Sequence, residues 1–497
     1  MPPVPPLHVL GPRLRALRKK RGLRQKTVAA RAQVSASYLS EIEQGKKYPS
    51  PDKMAALADA LGVPYDALAI LGPAPSRAPA PPTASPLLEA FPFALFGVDP
   101  TALAQVMARQ PDQAEALTRA FLDVMRNYDL TVEHFLFAAL RSYQQLHRNY
   151  FEALEAEAEA LRTEHGWDAA YVPSPKTLAA LLTTHHRYEV DLQALDSYPD
   201  LSRLRSVYLP HPSTPRLLVN PKLMPSQQAF LLAREIGYVR LGIDVRPTTS
   251  TFIEIESFEQ VLNHFKASYL GGALLMPRAA VCADLAHLFN QRRWDDGALR
   301  TAFNRYNATP EMLYYRLTEL IPAFFGLQEI YIMRFNHQRG TDAYRLTKVF
   351  NMSRVPVPHG VEADEHYCRR WVSVRTLQAL DRIQGTLAHP QPVIRAQRVR
   401  FITDNAEFFA IGVARPLALK PGVNSVVALG FLIDDDFRRM VRFWDDPHVP
   451  TVEVNLTCER CALLDCPDRA AAPSILHRAD RRLRQRVALE TLRNTLG

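Results

Sequence analysis

The amino-acid sequence predicts a multidomain protein that is mainly α with α+β parts. Its 497 residues suffice for about three domains of ordinary size. Short helical patterns with sharp Gly and Pro punctuation occupy the N-terminus, and longer helical patterns follow them. From about Gly326 the pattern changes to short alternating strands separated by turn residues. These three observations indicate helical units followed by a C-terminal α+β domain.

Shifts in composition divide the chain into five predicted segments. A unit of five short helices covers residues 1–71, and a semi-rigid Pro/Ala/Ser linker covers residues 72–86. A helical region over residues 87–166 is the predicted dimerisation region, although helices that pack only within their own domain would give the same pattern. A further domain spans residues 167–325, and a C-terminal α+β domain of the size of a sensor domain spans residues 326–497 with a four-cysteine site.

Composition indicates the compartment. No apolar run approaches the roughly 20 residues that a membrane-spanning helix needs. The first residues, MPPVPPLHVLG, lack the basic and apolar regions of a signal peptide. We therefore expect a cytoplasmic protein with no membrane partner. Five cysteines, four of them in one pattern, are more typical of a metal or cluster site than of a disulfide framework.

The net charge of +9 is concentrated at the N-terminus. Residues 1–72 contain twelve Lys and Arg against five Asp and Glu. This excess is the electrostatic footprint of a module that binds a polyanion. The same segment shows five short helical patterns, over residues 12–21, 25–32, 36–44, 50–61 and 64–71. Ser35 is a favourable N-cap for the third of these helices.

Residues 14–63, LRALRKKRGLRQKTVAARAQVSASYLSEIEQGKKYPSPDKMAALADALGV, resemble the Cro/cI-type (XRE) helix-turn-helix family. The resemblance implies that the third helix enters the major groove of double-stranded DNA and that a homodimer binds a near-palindromic operator. The implied DNA-binding residues are Gln25, Ser35, Ala36, Ser37, Tyr38, Ser40, Lys46 and Lys47. The alternative is a helical bundle with a solvated basic face.

Residues 227–242, QQAFLLAREIGYVRLG, have the frame of a zinc-peptidase helix without its ligands. Such a helix needs His at two positions four apart, so that both imidazoles reach one Zn²⁺, and a Glu after the first His. Here Arg234 and Tyr238 occupy the His positions, and Glu235 is retained. Arg234 paired with an acid, beside a packed Tyr238, would be a purely structural interpretation.

Residues 263–277, NHFKASYLGGALLMP, form a second characteristic stretch downstream of this helix. Together the two stretches resemble the ImmA/IrrE metallopeptidase family, whose third ligand, a Glu, would lie at Lys266. Arg, Tyr and Lys in place of the three ligands cannot hold Zn²⁺. We therefore expect a zincin-like pseudo-peptidase domain that is not an enzyme, whose cations suit an anionic ligand.

The remaining elements follow from shorter patterns. Residues 185–190 and 216–221 are predicted edges of a small sheet, and residues 295–320 a helix-turn-helix shape used for packing. Cys282 lies in an apolar stretch and is predicted to be core. The C-terminal domain is predicted to contain strands over residues 329–335, 398–403, 408–414, 425–433 and 452–456, and a helix over residues 437–444.

Four cysteines form a tight trio and one distant partner. Cys458, Cys461 and Cys466 follow a predicted strand, and Cys368 stands about ninety residues earlier. Such a set can close a thiolate site for either a 4Fe-4S cluster or structural Zn²⁺. The trio with a terminal Cys-Pro favours the cluster, because zinc ribbons usually use two paired knuckles. Free thiols are the third possibility.

From about Gly11 to Arg469 the chain resembles one family, the short-chain fatty-acyl-responsive transcriptional regulators; its most specific matches are SYLGGALLMP, CRRW and CERCALLDC. The resemblance implies regulation of short-chain acid metabolism, an acyl-CoA effector, and a 4Fe-4S cluster on the four cysteines. The implied effector-binding residues are Arg234, Tyr238, His264, Lys266 and Tyr269. Two alternatives stay open: a redox-sensing regulator with a vestigial pocket, and an ImmA/IrrE-type protease that cleaves a repressor.

Overall fold

The computed structural model describes residues 7–44, 47, 49, 51–63, 132–250, 255, 257–353, 365–384, 391–403 and 405–496. The chain separates into two compact units, Met1–Thr118 and Arg119–Gly497. The predicted fifth N-terminal helix, the linker over residues 72–86, much of the predicted dimerisation region and Lys46 lie outside the described residues.

The described part of the first unit is a bundle of four helices: α1 (Leu7–Lys20), α2 (Gln25–Arg31), α3 (Ala36–Glu43) and α4 (Pro51–Leu61). Gly22 ends the turn after α1 with φ +65°, a conformation that glycine adopts without strain. α1 begins before the predicted start at residue 12. Its buried pair Leu10 and Leu14 lies four residues apart on one face, so the apolar stripe extends upstream.

The second unit begins with helices and a small sheet. Three helices, α5 (Val132–Leu146), α6 (Glu152–Glu164) and α7 (Pro175–His186), precede strands β1 (Glu189–Asp191), β2 (Ser206–Leu209) and β3 (Arg216–Val219). β3 is the central strand, parallel to β1 and antiparallel to β2. The prediction that residues 185–190 form a strand edge is wrong in its first half. His185 and His186 end α7, whose Leu178 and Leu182 are buried, and Arg187 closes the helix at φ 57°.

Five helices follow the small sheet: α8 (Pro225–Arg240), α9 (Phe258–Leu275), α10 (Arg278–Phe289), α11 (Asp296–Arg305) and α12 (Pro310–Phe324). α8 and α9 cross with their backbones almost in contact. A Cβ at Gly237 would lie 2.7 Å from the carbonyl oxygen of Ala267, and one at Gly271 would lie 2.8 Å from the backbone nitrogen of Arg234. Glycine at both crossing points therefore fixes how close the two predicted site helices come.

The C-terminal part is a six-stranded sheet with helices. Its elements are β4 (Ile330–Gln338), β5 (Tyr344–Asn351), α13 (Val372–Gln384), β6 (Val393–Phe401), β7 (Glu407–Pro416), β8 (Val423–Leu432), α14 (Asp435–Met440), β9 (Thr451–Val454) and α15 (Ser474–Leu496). The strand order is β5-β4-β8-β7-β6-β9, antiparallel except where β6 pairs with β9.

The sheet is covered by helices on both faces. Along β4, Ile330 and Ile332 pack in the core formed with α10–α12, whereas Tyr331 and Met333 pack in the core formed with α13. The mixed helical and α+β architecture confirms the predicted fold class. In the C-terminal part, three elements, β5, α13 and α15, were absent from the prediction, as were α7, β2 and α10 before it. Within the described residues, no single helix is long and apolar enough to cross a membrane. The bent pair α9 and α10 has the length and composition of a membrane span only when its two helices are taken together.

Candidate functional site

The first candidate surface is the N-terminal half of α3. Ser35 caps the helix by accepting a hydrogen bond from the N–H of Tyr38 (3.1 Å), and its hydroxyl lies 3.0 Å from that of Ser37. Both serines are exposed, and Ala36 beside them is half-buried. Hydroxyl groups exposed at the start of such a helix are available to base edges and phosphates. Ser40, one turn further on, accepts a hydrogen bond from the side chain of Gln44 (3.1 Å).

Cations lie close to the same helix. The ammonium groups of Lys47 and Lys53 lie 5.2 and 4.6 Å from the ring centroid of Tyr38. The amide of Gln25 donates instead to the buried carboxylate of Glu43 (3.1 Å). Because Arg18 binds the same carboxylate with two hydrogen bonds, Glu43 ties α1, α2 and α3 together. The structure thus gives Gln25 an internal partner, and its predicted role in DNA binding stays a prediction.

The second candidate site is the crossing of α8 and α9. A guanidinium nitrogen of Arg234 lies 3.3 Å from Nε2 of His264, and the hydroxyl of Tyr238 lies 2.7 Å from Nδ1 of the same ring. The structure therefore brings together three of the five predicted effector residues. Burial, with the charges of Arg234 and Arg246, holds the pKa of His264 well below its usual value. Because a guanidinium only donates, the neutral ring accepts at Nε2 and carries its hydrogen on Nδ1.

Glu235 at this site is held by an internal cation. Both of its oxygens accept hydrogen bonds from Arg246, at 2.6 and 2.5 Å, and both side chains are almost completely buried. The guanidinium of Arg246 is stacked between the rings of Tyr208 and Tyr238, 3.7 and 3.8 Å from their centroids. A carboxylate bound in this way cannot also deprotonate a water for hydrolysis. Sequence patterns did not identify Arg246, because it lies in a loop after α8.

The other two predicted effector residues are placed differently. The hydroxyl of Tyr269 donates to Glu155 (2.7 Å), inside a buried network in which Arg316 binds both Glu155 and Glu319. Tyr269 thus joins α9 to α6 and α12 and takes no part in the Arg234 group. Lys266 is half-buried, and within the described residues no hydrogen bond or ion pair connects it to Arg234 or Tyr238.

Further cations surround the Arg234 group. Burial would raise the pKa of the Glu311 carboxyl, but the charges of Lys348, Arg334 and Arg205 outweigh it and hold that pKa well below its usual range. Glu311 forms ion pairs with Lys348 (2.6 Å) and Arg334 (3.2 Å). The charge of Lys348 also lowers the pKa of His264, and the charge of Arg205 lowers the pKa of Arg234. The charges therefore form one continuous group.

Arg415 completes this group, which we call the cationic cleft and define as Arg205, Arg234, Arg334, Lys348 and Arg415 with Glu311. Burial, reinforced by Arg334 and Arg205, lowers the pKa of Arg415 to about 10. Within the described residues, neither Arg205, Arg234 nor Arg415 forms an ion pair, and Nε of Arg234 is buried without a hydrogen-bond partner. The side chain of Lys348 is nevertheless 48% exposed, so solvent reaches the cleft.

The third candidate site contains the four cysteines. Cys368, Cys458, Cys461 and Cys466 line one small cavity that is partly open to solvent. The Cys368 segment lies beside the Cys458 segment because Tyr367 pairs with Thr457 and the N–H of Cys458 donates to the carbonyl of His366 (2.9 Å).

Arg469 organises the loop that carries the trio. Its guanidinium donates to the carbonyl oxygens of Cys458 (2.8 Å), Cys461 (3.1 Å) and Leu463 (2.7 Å). The N–H of Ala470 donates to the sulfur of Cys458 (3.4 Å). In the part of the chain that the structure describes, no three His, Cys, Asp or Glu side chains are close enough to hold one metal ion. Cys282 lies elsewhere, half-buried against the main core.

Comparisons with known proteins agree with this arrangement. Residues 9–70 match the helix-turn-helix domain family, and residues 187–318 match the IrrE N-terminal-like domain family. The HTH-type transcriptional regulator RamB of Mycobacterium tuberculosis is 23% identical over 499 residues, which cover 93% of this chain and 94% of that protein. The HTH-type transcriptional regulator PrpR of the same organism is 24% identical over 490 residues, which cover 93% and 91%.

A solved structure described as a Mycobacterium tuberculosis transcriptional regulator is 20% identical and covers 67% of this chain and 93% of that one, with a TM-score of 0.48. RamB and PrpR are both named as regulators and not as peptidases. The chain thus joins an XRE-type helix-turn-helix domain to an IrrE-like domain, and over 93% of its length it is similar to two HTH-type transcriptional regulators.

Proposed function

We propose that this regulator acts in the cytoplasm as a homodimer on a near-palindromic operator and controls short-chain acyl or carboxylic acid metabolism in response to an acyl-CoA-type ligand. The observation that carries the proposal is the cationic cleft. Glu311 forms ion pairs with Lys348 and Arg334 only, and Arg205, Arg234 and Arg415 have no ion-pair partner within the described residues. Buried cations without partners are costly, so a bound anion would stabilise the cleft.

The chemistry of the cleft suits a phosphorylated ligand. Arg guanidinium groups bind phosphate oxygens with paired hydrogen bonds, and Lys348 adds a mobile point charge. Coenzyme A carries several phosphate charges, and its acyl thioester would need an apolar neighbour such as the Tyr238 and His264 rings. Such a ligand changes DNA affinity only if it binds one arrangement of the dimer more tightly than the other.

Calorimetric titration of the full chain with propionyl-CoA tests the effector. We expect Arg415→Gln to weaken binding about tenfold or more, because it removes a charged hydrogen bond to phosphate. Arg216→Gln is the matched control, since the Arg216 side chain is exposed at the start of β3 and is paired with Glu189 (2.7 Å). Absence of binding to the unaltered chain, or equal losses in both variants, would refute the effector.

DNA reading by α3 has a separate test. Selection from random duplexes should recover a near-palindromic sequence for the full chain. Ser37→Glu should abolish that binding, because it places a carboxylate among the phosphates without touching the core of the bundle. Ser174→Glu, at the cap of α7 in the other unit, is the control. Retained operator binding by Ser37→Glu would exclude α3 as the reading helix.

We further propose that the four cysteines hold a 4Fe-4S cluster, which would supply a redox- and oxygen-sensitive group to the regulator. One observation supports the proposal: the four cysteines line one cavity. Arg369 and Arg469, which also line the cavity, favour an anionic group.

Anaerobic purification with iron, sulfide and zinc analysis tests the cluster. We expect about four irons per chain and a broad visible absorption, both lost in Cys461→Ser and both kept in Cys282→Ser. One zinc and no colour would make the site structural. The redox-sensing alternative, with a vestigial cleft, makes two predictions. Cys461→Ser should remove the response of DNA binding to an oxidant, and the unaltered chain should not bind propionyl-CoA.

A further inference from the structure

The C-terminal helix α15 is anchored only at its start. The N–H groups of Ile475 and Leu476 donate to the carbonyl oxygen of Glu459, at 3.1 and 3.0 Å. Beyond this turn, every residue over 477–495 is exposed. In proteins most helical stability comes from packing of one face against neighbouring elements. A helix that is exposed on all sides therefore indicates that a partner other than the described residues of this unit binds it.

Most of the positive charges of α15 lie on one side of the helix. The helix contains six Arg and no Lys, against Asp480 and Glu490. Because successive residues are rotated by about 100°, five of the arginines fall within an arc of about 140°. This Arg face consists of Arg478, Arg481, Arg482, Arg486 and Arg493. Arg484 lies well outside the arc.

A second copy of the helix is a poor partner. Leu476, Ala479 and Leu483 begin a heptad pattern, and Leu483 is 56% exposed. The next positions of the same heptad are Arg486, Glu490 and Arg493, so a coiled-coil seam would place charges at its centre. A membrane surface is also disfavoured, because the helix contains no aromatic residue of the kind that anchors interfacial helices.

We infer that the Arg face of α15 binds the phosphate backbone of DNA as a second contact, independent of base sequence. The inference rests on the proposed DNA-binding function, which makes DNA the polyanion available to this chain. Guanidinium groups suit phosphate oxygens, and Arg478 to Arg493 span about 22 Å along the helix axis. That length is enough to reach several phosphates along one strand.

Fluorescence anisotropy of the full chain on a random-sequence duplex of about three helical turns tests this contact across a salt series. In the triple variant Arg481→Gln, Arg482→Gln and Arg486→Gln, we expect the slope of log affinity against log salt to fall by about 2 to 3. Affinity at low salt should fall about tenfold or more. The unfolding midpoint should not change, because these side chains are exposed.

Single variants give the matched control. Arg482→Gln, on the Arg face, should lower the slope by about 1, whereas Arg484→Gln should leave it nearly unchanged. An unaltered slope in the triple variant would overturn the inference. So would a triple variant that keeps its DNA affinity but loses binding to phosphatidylglycerol vesicles or loses self-association. A chain that binds random DNA and selects no sequence would refute the proposed regulator, while the slope comparison would still decide the role of α15.

Discussion

The Glu235 carboxylate is buried and receives both of its strong hydrogen bonds from Arg246. Arg246→Met should lower the free energy of unfolding by about 3–5 kcal/mol, because it leaves a buried carboxylate without its cation. Adding Glu235→Gln should recover much of that loss, since the unpaired charge is then removed. Urea unfolding of both variants measures the effect. Equal stability of Arg246→Met and the unaltered chain would show that the pair contributes nothing.

Glu319 predicts a dependence of stability on pH. Burial, which outweighs the attraction of Arg316, raises the pKa of Glu319 to about 8. The folded state therefore binds this proton more tightly than the unfolded state. The resulting stabilisation is complete below the ordinary pKa of 4.5 and is lost as pH rises through about 8. Glu319→Gln should flatten the decline in unfolding free energy between about pH 5 and pH 8, measured by denaturant titration at each pH.

At the scale of elements, the α8–α9 crossing depends on two glycines. Gly271→Ala should destabilise the chain by about 1–3 kcal/mol, because its Cβ would meet the backbone of Arg234. It should also disturb the Arg234–His264 contact. Gly272→Ala is a closely matched control, since nothing lies within 4 Å of its Cβ. That variant should be neutral or stabilising by about 0.5–1 kcal/mol. Thermal unfolding of both proteins separates the two effects.

Sequence reasoning succeeded for elements whose pattern is local. The first four helices, α8 and five of the six C-terminal strands were anticipated from local sequence patterns, and α9 from the resemblance to the ImmA/IrrE family. β5 was not, because it is an edge strand in which Arg345, Thr347 and Lys348 are exposed and the apolar alternation is weak. α13 was missed although Val374, Leu377 and Leu380 recur at helical spacing and are buried, so its signal was present in the sequence. Local patterns carry little information about an edge strand that is stabilised mainly by its neighbours.

At the scale of the whole molecule, the cationic cleft could not be read from the sequence. Arg205 precedes β2, Arg334 and Lys348 lie on β4 and β5, and Arg415 ends β7. Each is an ordinary charged residue within or beside a strand, and only the fold brings them together around Glu311. The α8–α9 part was foreseeable because the peptidase pattern fixes both helices. The cleft is therefore partly inherited from that pattern and partly built by the C-terminal sheet.

Glu311 provides the test of this joint construction, because its carboxylate pairs with Lys348 and Arg334 from the sheet. Its lowered pKa means that it stabilises the folded state at neutral pH and that this contribution is lost as pH falls towards that pKa. Glu311→Gln should therefore be less stable when unliganded. The same change frees two cations, so a phosphorylated anion such as propionyl-CoA should bind more tightly and raise the unfolding midpoint by a larger amount than in the unaltered chain. Thermal unfolding with and without the ligand measures both effects. A smaller ligand-induced rise in the variant would mean that Glu311 contacts the ligand directly and that the sheet cations lie outside its site.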